Sequence, residues 1–327
     1  TTIQAIYNHY EASQESPHRM HLGASIIGRE CERELYYTFH WCSTPIHSGR
    51  LLRLFETGQL EEYRFVKNLR DAGVTVWDVD ENTGDQFRVS FCGGHFGGSL
   101  DGVGQGFIEA PEKPHVIEMK THSEKSFKDL VAKGVQQSKP EHYAQMQVYM
   151  GLMKIDRAYY LSRNKNNDEL YGERIRYDEK ALTALLDKAH RIITTNRPPA
   201  RMNENPEFFK CKWSDHHAIC HSDKAPEVNC RTCAHSTAVE DGFSTWECSF
   251  YKIDLSEDTQ RQSSKCPSHI YNPHLLHWAE PIDSGENSIT YQTKDGNTFK
   301  NGDNGYKSVE IHAAVTPSIL SDLSLIH

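Results

Sequence analysis

Sixteen residues separate Asp101 from Glu118, and Lys120 follows Glu118 by two positions. Side chains two apart on a strand face the same side. Glu118 and Lys120 therefore project together from the strand expected around residues 115–119, and Asp101 belongs to the strand expected over 99–103. Two carboxylates on neighbouring strands can hold a hard divalent cation, Mg2+ or Mn2+, through oxygen ligands. Such an ion activates water and offsets charge on phosphodiester oxygens. A lysine beside it can orient or deprotonate that water, or neutralise the negative charge that develops. The competing assignment is a set of edge-strand charges facing solvent, and the spacing alone is compatible with both.

Three further features weigh toward chemistry. Gly93, Gly94, Gly97 and Gly98 precede Asp101, and glycine lets backbone pass close to a ligand. Glu62 lies on the helix expected over residues 51–72, four positions after Gly58. Gln145 and Tyr149 are four apart on the helix expected over 141–153, hence one turn apart on one face, with Gln147 nearby.

The series Gly58-x3-Glu62, Gly98-Ser99-Leu100-Asp101, Glu118-Met119-Lys120 and Gln145-x3-Tyr149 resembles the motif order of the PD-(D/E)XK nuclease superfamily. Within it the chain is most similar to the RecB-like exonuclease branch, which includes phage recombination exonucleases and the CRISPR-associated iron–sulfur exonucleases. The resemblance covers residues 20–222. It implies an α/β (α+β) restriction-endonuclease-like core, with Asp101 and Glu118 as Mg2+ or Mn2+ ligands and Lys120 as the catalytic lysine. It makes Glu62 the helix-borne acid that supports metal or water, with Glu61 as the fallback; where some branches carry a histidine on that helix, this chain has Gln59. It gives Gln145 and Tyr149 the task of positioning DNA or the lysine. Thr121 and His122 touch phosphate or lie in a solvated turn. The implied activity is metal-dependent hydrolysis of DNA, as an exonuclease in recombination, repair or phage DNA metabolism. The alternatives are an endonuclease of a restriction or defence system and a catalytically silent DNA-binding protein. DNA is the implied partner; a recombination or single-strand annealing protein, and an oligomer, are compatible with the same branch.

The nine cysteines point to metal rather than disulfides, since residues 1–10 carry no basic-then-apolar signal pattern and six lie between Cys211 and Cys266. Cys31, with Cys211 and Cys220, resembles the iron–sulfur members of the branch, whose early cysteine and late C-x2-C-x5-C close a [4Fe–4S] cluster. Ser214 stands at the middle cysteine position. The set then holds a cluster weakly, or becomes a Cys3His zinc site through His216, His217 or His221, or is vestigial. Cys230 and Cys233 form a chelating knuckle that Cys248 and Cys266 can complete as a tetrahedral zinc site, with His235 and His269 as substitutes. Cys42 and Cys92 read as core cysteines. His95 is a candidate contact to DNA or metal, though a structural histidine is the more frequent case. Tyr159 and Tyr160 read as core, and Trp213 and Trp246 as packing around metal.

These residues need a scaffold. Hydrophobic residues are 37% of 327 and charged residues 25%, the balance of a globular chain. Mean hydropathy is −0.68, and no apolar run approaches the roughly 20 residues of a membrane span. A cytoplasmic protein without a membrane partner is expected, in a bacterial or phage-infected cell. Net charge is −9, yet residues 119–201 carry 16 Lys/Arg against 10 Asp/Glu; a basic middle suits a DNA-facing surface as well as a solvated mixed face. No G-x4-G-K-S/T loop supports an ATP motor. Periodicity predicts a helix over 51–72, strands over 74–79, 87–91, 99–103 and 115–119, helices over 126–133 and 141–153, strands over 157–162 and 170–177, and a helix over 180–195. The divisions expected are 1–202 for the nuclease core, 203–281 for a Cys/His-rich region that folds around metal, and 282–327 for a small hairpin from 288–291 and 308–313.

Overall fold

A computed structural model describes residues 1–14 and 18–314. The N-terminal portion supplies α1 (Thr2–Ala12), β1 (Leu22–Gly23), α2 (Glu32–Phe39) and α3 (Gly49–Asp71), followed by strands β2 (Thr75–Trp77), β3 (Arg88–Phe91), β4 (Phe96–Ser99), β5 (Gly102–Gln105) and β6 (His115–His122). Helices α4 (Glu124–Ser138) and α5 (Pro140–Met153) then lead to β7 (Arg157–Asn164), β8 (Leu170–Arg176) and α6 (Glu179–Thr194). The mixed α/β core expected from the sequence is what forms.

The central sheet has the order β2-β5-β6-β7-β8, antiparallel except for the parallel pair β6–β7 that α4 and α5 connect. Strand β6 is buried at five consecutive residues, 115–119, as a strand is when both faces are covered. Helix α5 is buried over seven consecutive residues, 144–150, so it is enclosed by its neighbours rather than lying on the surface. Helix α3 turns only Glu61, Phe65, Val66 and Leu69 inward along its second half, and this amphipathic stripe sets it beside the sheet.

The strand expected over 99–103 is divided. β4 ends at Ser99 in a second sheet, β1-β4-β3, and β5 begins at Gly102 in the central one. Leu100 is fully buried at this crossing, and Asp101 is thereby left at the seam of two sheets. Strand β6 runs on to His122, so Thr121 and His122 are strand residues rather than a turn; His122 is buried, 2.7 Å from the Tyr160 hydroxyl.

Downstream come α7 (Phe209–Lys212), α8 (His217–His221), the antiparallel sheet of β9 (Ser236–Ala238), β10 (Trp246–Cys248) and β11 (Ile253–Leu255), and α9 (Glu257–Gln262). Ile219, Trp246, Leu255 and Leu275 join the same buried cluster as Leu22, Phe39, Phe96 and Tyr149. Trp246 packs at a tilt against Phe39, and Trp213 is exposed.

The last part differs from the expected hairpin. It is a three-stranded antiparallel sheet, β12 (Ala279–Gly285), β13 (Ser288–Thr293) and β14 (Thr298–Gly302), and residues 308–313 form helix α10 (Ser308–Ala313). Glu310 accepts a hydrogen bond from the Lys307 backbone N–H at 2.6 Å, and Ile311 is buried beneath. A helix start capped in this way competes well with a strand. Residues 315–327 of the predicted terminal region lie outside the described residues. Among the described residues no helix is long and apolar enough to cross a membrane.

Candidate active site

Asp101, Glu118 and Lys120 meet where β4 gives way to β5 beside β6. Asp101 Oδ2 accepts the Met119 backbone N–H at 2.7 Å, which ties the seam to the middle of β6. The Lys120 ammonium lies 3.7 Å from Asp101 Oδ2 and in direct contact with Glu118 Oε1. It also donates to the Met119 carbonyl at 3.1 Å. Glu118 is completely buried, whereas Lys120 keeps 28% of its side chain exposed. Apart from that ammonium, no donor among the described residues reaches either Glu118 oxygen.

The charges explain one another. Burial raises the Glu118 carboxyl well above the carboxylate range; Lys120 opposes this and Asp101 reinforces it. Burial pulls the Lys120 ammonium down, but Asp101 and Glu118 outweigh it and hold the group above its ordinary value. Glu62, half-buried on α3, is pushed up to about 7 by burial and then by Asp101, with Lys120 acting against them. Three carboxyls thus sense one another around a single ammonium, and a further cation would relieve the imbalance.

Glu61 is engaged elsewhere. It accepts from Arg163 Nη1 at 2.6 Å and Arg64 Nη1 at 3.3 Å, and both arginines also pair with Asp168. On a helix adjacent residues point roughly 100° apart, so one of the two glutamates faces this ion network and the other the carboxylate centre.

Gln145 and Tyr149 are brought to the same place, though by a route the sequence did not indicate. Gln145 Nε2 donates to the Tyr149 hydroxyl at 3.2 Å, and that hydroxyl donates to the Ser99 carbonyl at 2.8 Å. Helix α5 therefore holds the end of β4, two residues before Asp101. Gly98 is required here, since a Cβ would lie 2.7 Å from the Tyr149 hydroxyl. His95 is buried, hydrogen-bonded to the Val239 carbonyl at 2.9 Å and packed edge-on to Phe39 and Trp246; it is a core histidine.

An open cleft of about 760 Å3 runs from Ser99, Gln145 and Tyr149 along β3 and β4 to the 242–244 loop. The three charged residues of the centre are not in its lining; the cleft reaches them through Ser99 and Tyr149. Arg19 and Arg88 line it, both exposed and without a carboxylate partner among the described residues. Phe243 on the facing loop is 86% exposed. No local motif announces these residues, because they come from three separate stretches of chain.

The cysteines fall into the two expected groups. Cys31, Cys211 and Cys220 line one small cavity with Ser214, His216, His217 and His221. His216 is committed to Thr38 and Ser43, and His217 to the Pro206 carbonyl. His221 Nε2 is buried and has no hydrogen-bond partner among the described residues. Cys230, Cys233, Cys248 and Cys266 line a second cavity, of about 530 Å3, together with His269, whose Nδ1 is likewise unpartnered. His235 is bound instead to Asn287 at 2.9 Å.

No protein-family model and no curated protein matches the chain. Solved structures do. The chain is similar to SSO0001, with a TM-score of 0.40 and 13% identity over 67% of this chain and 96% of that one. It is similar to an alkaline exonuclease, LHK-Exo, from Laribacter hongkongensis, with a TM-score of 0.39 and 17% identity over 57% and 90% of the two chains. The same exonuclease in complex with dAMP gives a TM-score of 0.38 and 15% identity over 58% and 90%.

Proposed function

We propose that this chain is a divalent-cation-dependent deoxyribonuclease, and specifically an exonuclease, with Asp101, Glu118 and Lys120 at its catalytic centre. The observation that carries the reading is the meeting of those three side chains, with Glu62 within electrostatic reach, at the seam between two sheets. Four motif positions scattered over about sixty residues of sequence, 62–120, have no packing reason to converge on a buried, under-compensated charge cluster.

The all-oxygen donor set and the orphaned Glu118 oxygens fit a hard cation such as Mg2+ or Mn2+, held by Asp101 and Glu118. When bound, that ion supplies Lewis-acid polarisation at a phosphodiester. The chain's own groups do the rest. Lys120, fixed by both carboxylates, faces the phosphate with a positive charge and offsets what develops on its oxygens. Glu62, pushed up to about 7, is poised to accept a proton from the attacking water near neutral pH. Tyr149 and Gln145 hold Ser99, and so Asp101, in place. Arg19 and Arg88 offer phosphate contacts along the cleft that leads there.

End-labelled linear DNA and closed circular DNA, incubated with Mg2+ or Mn2+, test this. Loss of linear DNA alone is expected. Cleavage of circles moves the assignment to an endonuclease, and binding without cleavage of either removes catalysis from it.

A pH prediction follows from Glu62. Its folded-state value of about 7 lies above the usual carboxylate value. The stability it contributes is therefore present at acid pH and lost as pH rises through about 7. A cation that competes with those protons reverses the loss. The melting temperature should gain more from Mn2+ at about pH 8 than at about pH 6, and the difference should shrink in Glu62→Gln. An equal gain at both pH values in the unaltered protein contradicts it.

The cysteines complete the proposal. Cys230, Cys233, Cys248 and Cys266 hold structural zinc. Cys31, Cys211 and Cys220 hold a second ion with His221 as the fourth donor, a set that favours zinc over [4Fe–4S], because the buried, unpartnered His221 nitrogen stands in the cavity where Ser214 replaces a thiol. Elemental analysis is expected to find zinc and no iron, with one equivalent lost in Cys230→Ser and another in His221→Ala. Iron and inorganic sulfide in the protein would restore the cluster assignment.

A further inference from the structure

Three donors from three distant parts of the chain converge away from the charge cluster and outside both cysteine cavities. Cys92 follows β3, His190 stands on α6, and Glu240 lies on the loop between β9 and β10. Cys92 Sγ is 3.4 Å from Glu240 Oε2, and His190 Nε2 is 3.5 Å from Glu240 Oε1. The three donor atoms all lie within 4.8 Å of one another, and no other group of three or more His, Cys, Asp or Glu side chains among the described residues is drawn so close.

The spacing matches a coordination shell. For a tetrahedral ion with bonds of about 2.3 Å to sulfur and about 2.0–2.2 Å to nitrogen or oxygen, neighbouring donors sit roughly 3.3–3.7 Å apart. With one Glu240 oxygen as the donor, one edge is therefore already at ligand distance, Sγ to Oε2 or Nε2 to Oε1, and all three donor atoms lie within 4.8 Å. The chemistry is selective too. A thiol, an imidazole and one carboxylate suit zinc and similar borderline ions, and not Mg2+ or Ca2+. An ordinary ion pair joins only His190 and Glu240; the buried Cys92 thiol turns to the same carboxylate, donating to Oε2 at 3.4 Å, and so adds a third donor to the group.

We propose that Cys92, His190 and Glu240 bind a Zn2+ ion, with a fourth position open to solvent, and that the ion clamps the 239–245 loop to the β3 turn and to α6. Binding releases the Cys92 thiol proton to solvent. The clamp acts on a surface already in tight contact. Ser244 N donates to the Gly93 carbonyl at 2.9 Å, and a Cβ on Gly93 would lie 2.2 Å from Glu240 Cα. The same loop carries Gly242, Phe243 and Ser244, which form one wall of the long cleft. Metal occupancy thus sets the position of that wall whether or not the chain cleaves DNA.

The test uses the full chain, loaded with Zn2+ or substituted with Co2+, beside His190→Ala and Glu240→Gln. Both positions are exposed, so both variants should fold, which circular dichroism checks. The other cysteine sets are intact in them and cancel from the comparison. The variants are expected to carry one fewer tightly bound equivalent, or to bind Co2+ at least about tenfold more weakly, since removing a ligand costs no less than removing its support. Proteolysis within residues 239–245 should be faster in both variants than in the zinc-loaded unaltered protein. Equal stoichiometry and affinity in all three proteins overturns the site, and unchanged proteolysis despite metal loss overturns the clamp.

Discussion

Lys120→Ala should lower the rate of metal-dependent DNA cleavage by about 10²–10³-fold, the size of loss seen when one donor to a developing oxyanion is removed. The ammonium lies between Asp101 and Glu118 and is the sole charge-compensating group that touches buried Glu118 among the described residues. Its removal takes away the positive charge facing the phosphate and, in the same step, drives Glu118 further toward its protonated form. Binding of DNA along the cleft should persist, because Arg19 and Arg88 are untouched. Single-turnover cleavage of end-labelled linear DNA, measured beside filter retention of the same DNA, separates the two effects. Asp101→Asn should behave alike, since its amide oxygen can still accept the Met119 N–H while the charge that holds the cation is lost. Full cleavage in both variants would sink the assigned centre.

The second large effect concerns stability. Arg231, inside the Cys230-Arg231-Thr232-Cys233 knuckle, is 1% exposed and has no ion-pair partner among the described residues. Its guanidinium donates to the Phe39 carbonyl at 2.9 Å, the Met20 carbonyl at 3.0 Å and Gln260 Oε1 at 2.9 Å. It also lies 4.0 Å from the Trp41 ring centroid and 5.0 Å from that of Trp246. Burial pulls it down to about 9, so the fold holds this charge by hydrogen bonds and aromatic faces alone. Arg231→Ala leaves two carbonyls and an amide oxygen without donors around a cavity, and should cost about 3–5 kcal/mol. Arg231→Met retains much of the volume and should cost less. Equilibrium denaturation measures both. A loss under about 1 kcal/mol for the alanine variant would show that the site relaxes or admits water. The consequence reaches the cleft, since Met20 lines it and Arg231 holds its backbone carbonyl.

Much of the core was legible because its signals are local. The alternation in β6 puts Glu118 and Lys120 on one side by geometry alone, and the helices over 51–72, 141–153 and 180–195 appear within two residues at each end as α3, α5 and α6. The motif series also named, in advance, the side chains that converge on the seam. Less local features were not legible. The transfer of the chain between sheets at Leu100 and Asp101 depends on which strands pair, and residues 308–313 became a helix because a cap and a buried Ile311 outweighed strand propensity. The choice between Glu61 and Glu62 needed Arg163 and Asp168, about a hundred residues away, to claim one of them.

The amino-acid sequence by itself determined the periodicities, hence the elements and the face each side chain takes, and the donor types available to bind cations. Only the tertiary structure decided which of those donors meet. Tyr149 reaches Ser99 across fifty residues, Arg231 reaches Met20 across 211, and Cys92 meets His190 on α6 and Glu240 on the β9–β10 loop. Such contacts arise from the joint packing of whole elements, and a local pattern of spacing carries no record of its partner's position.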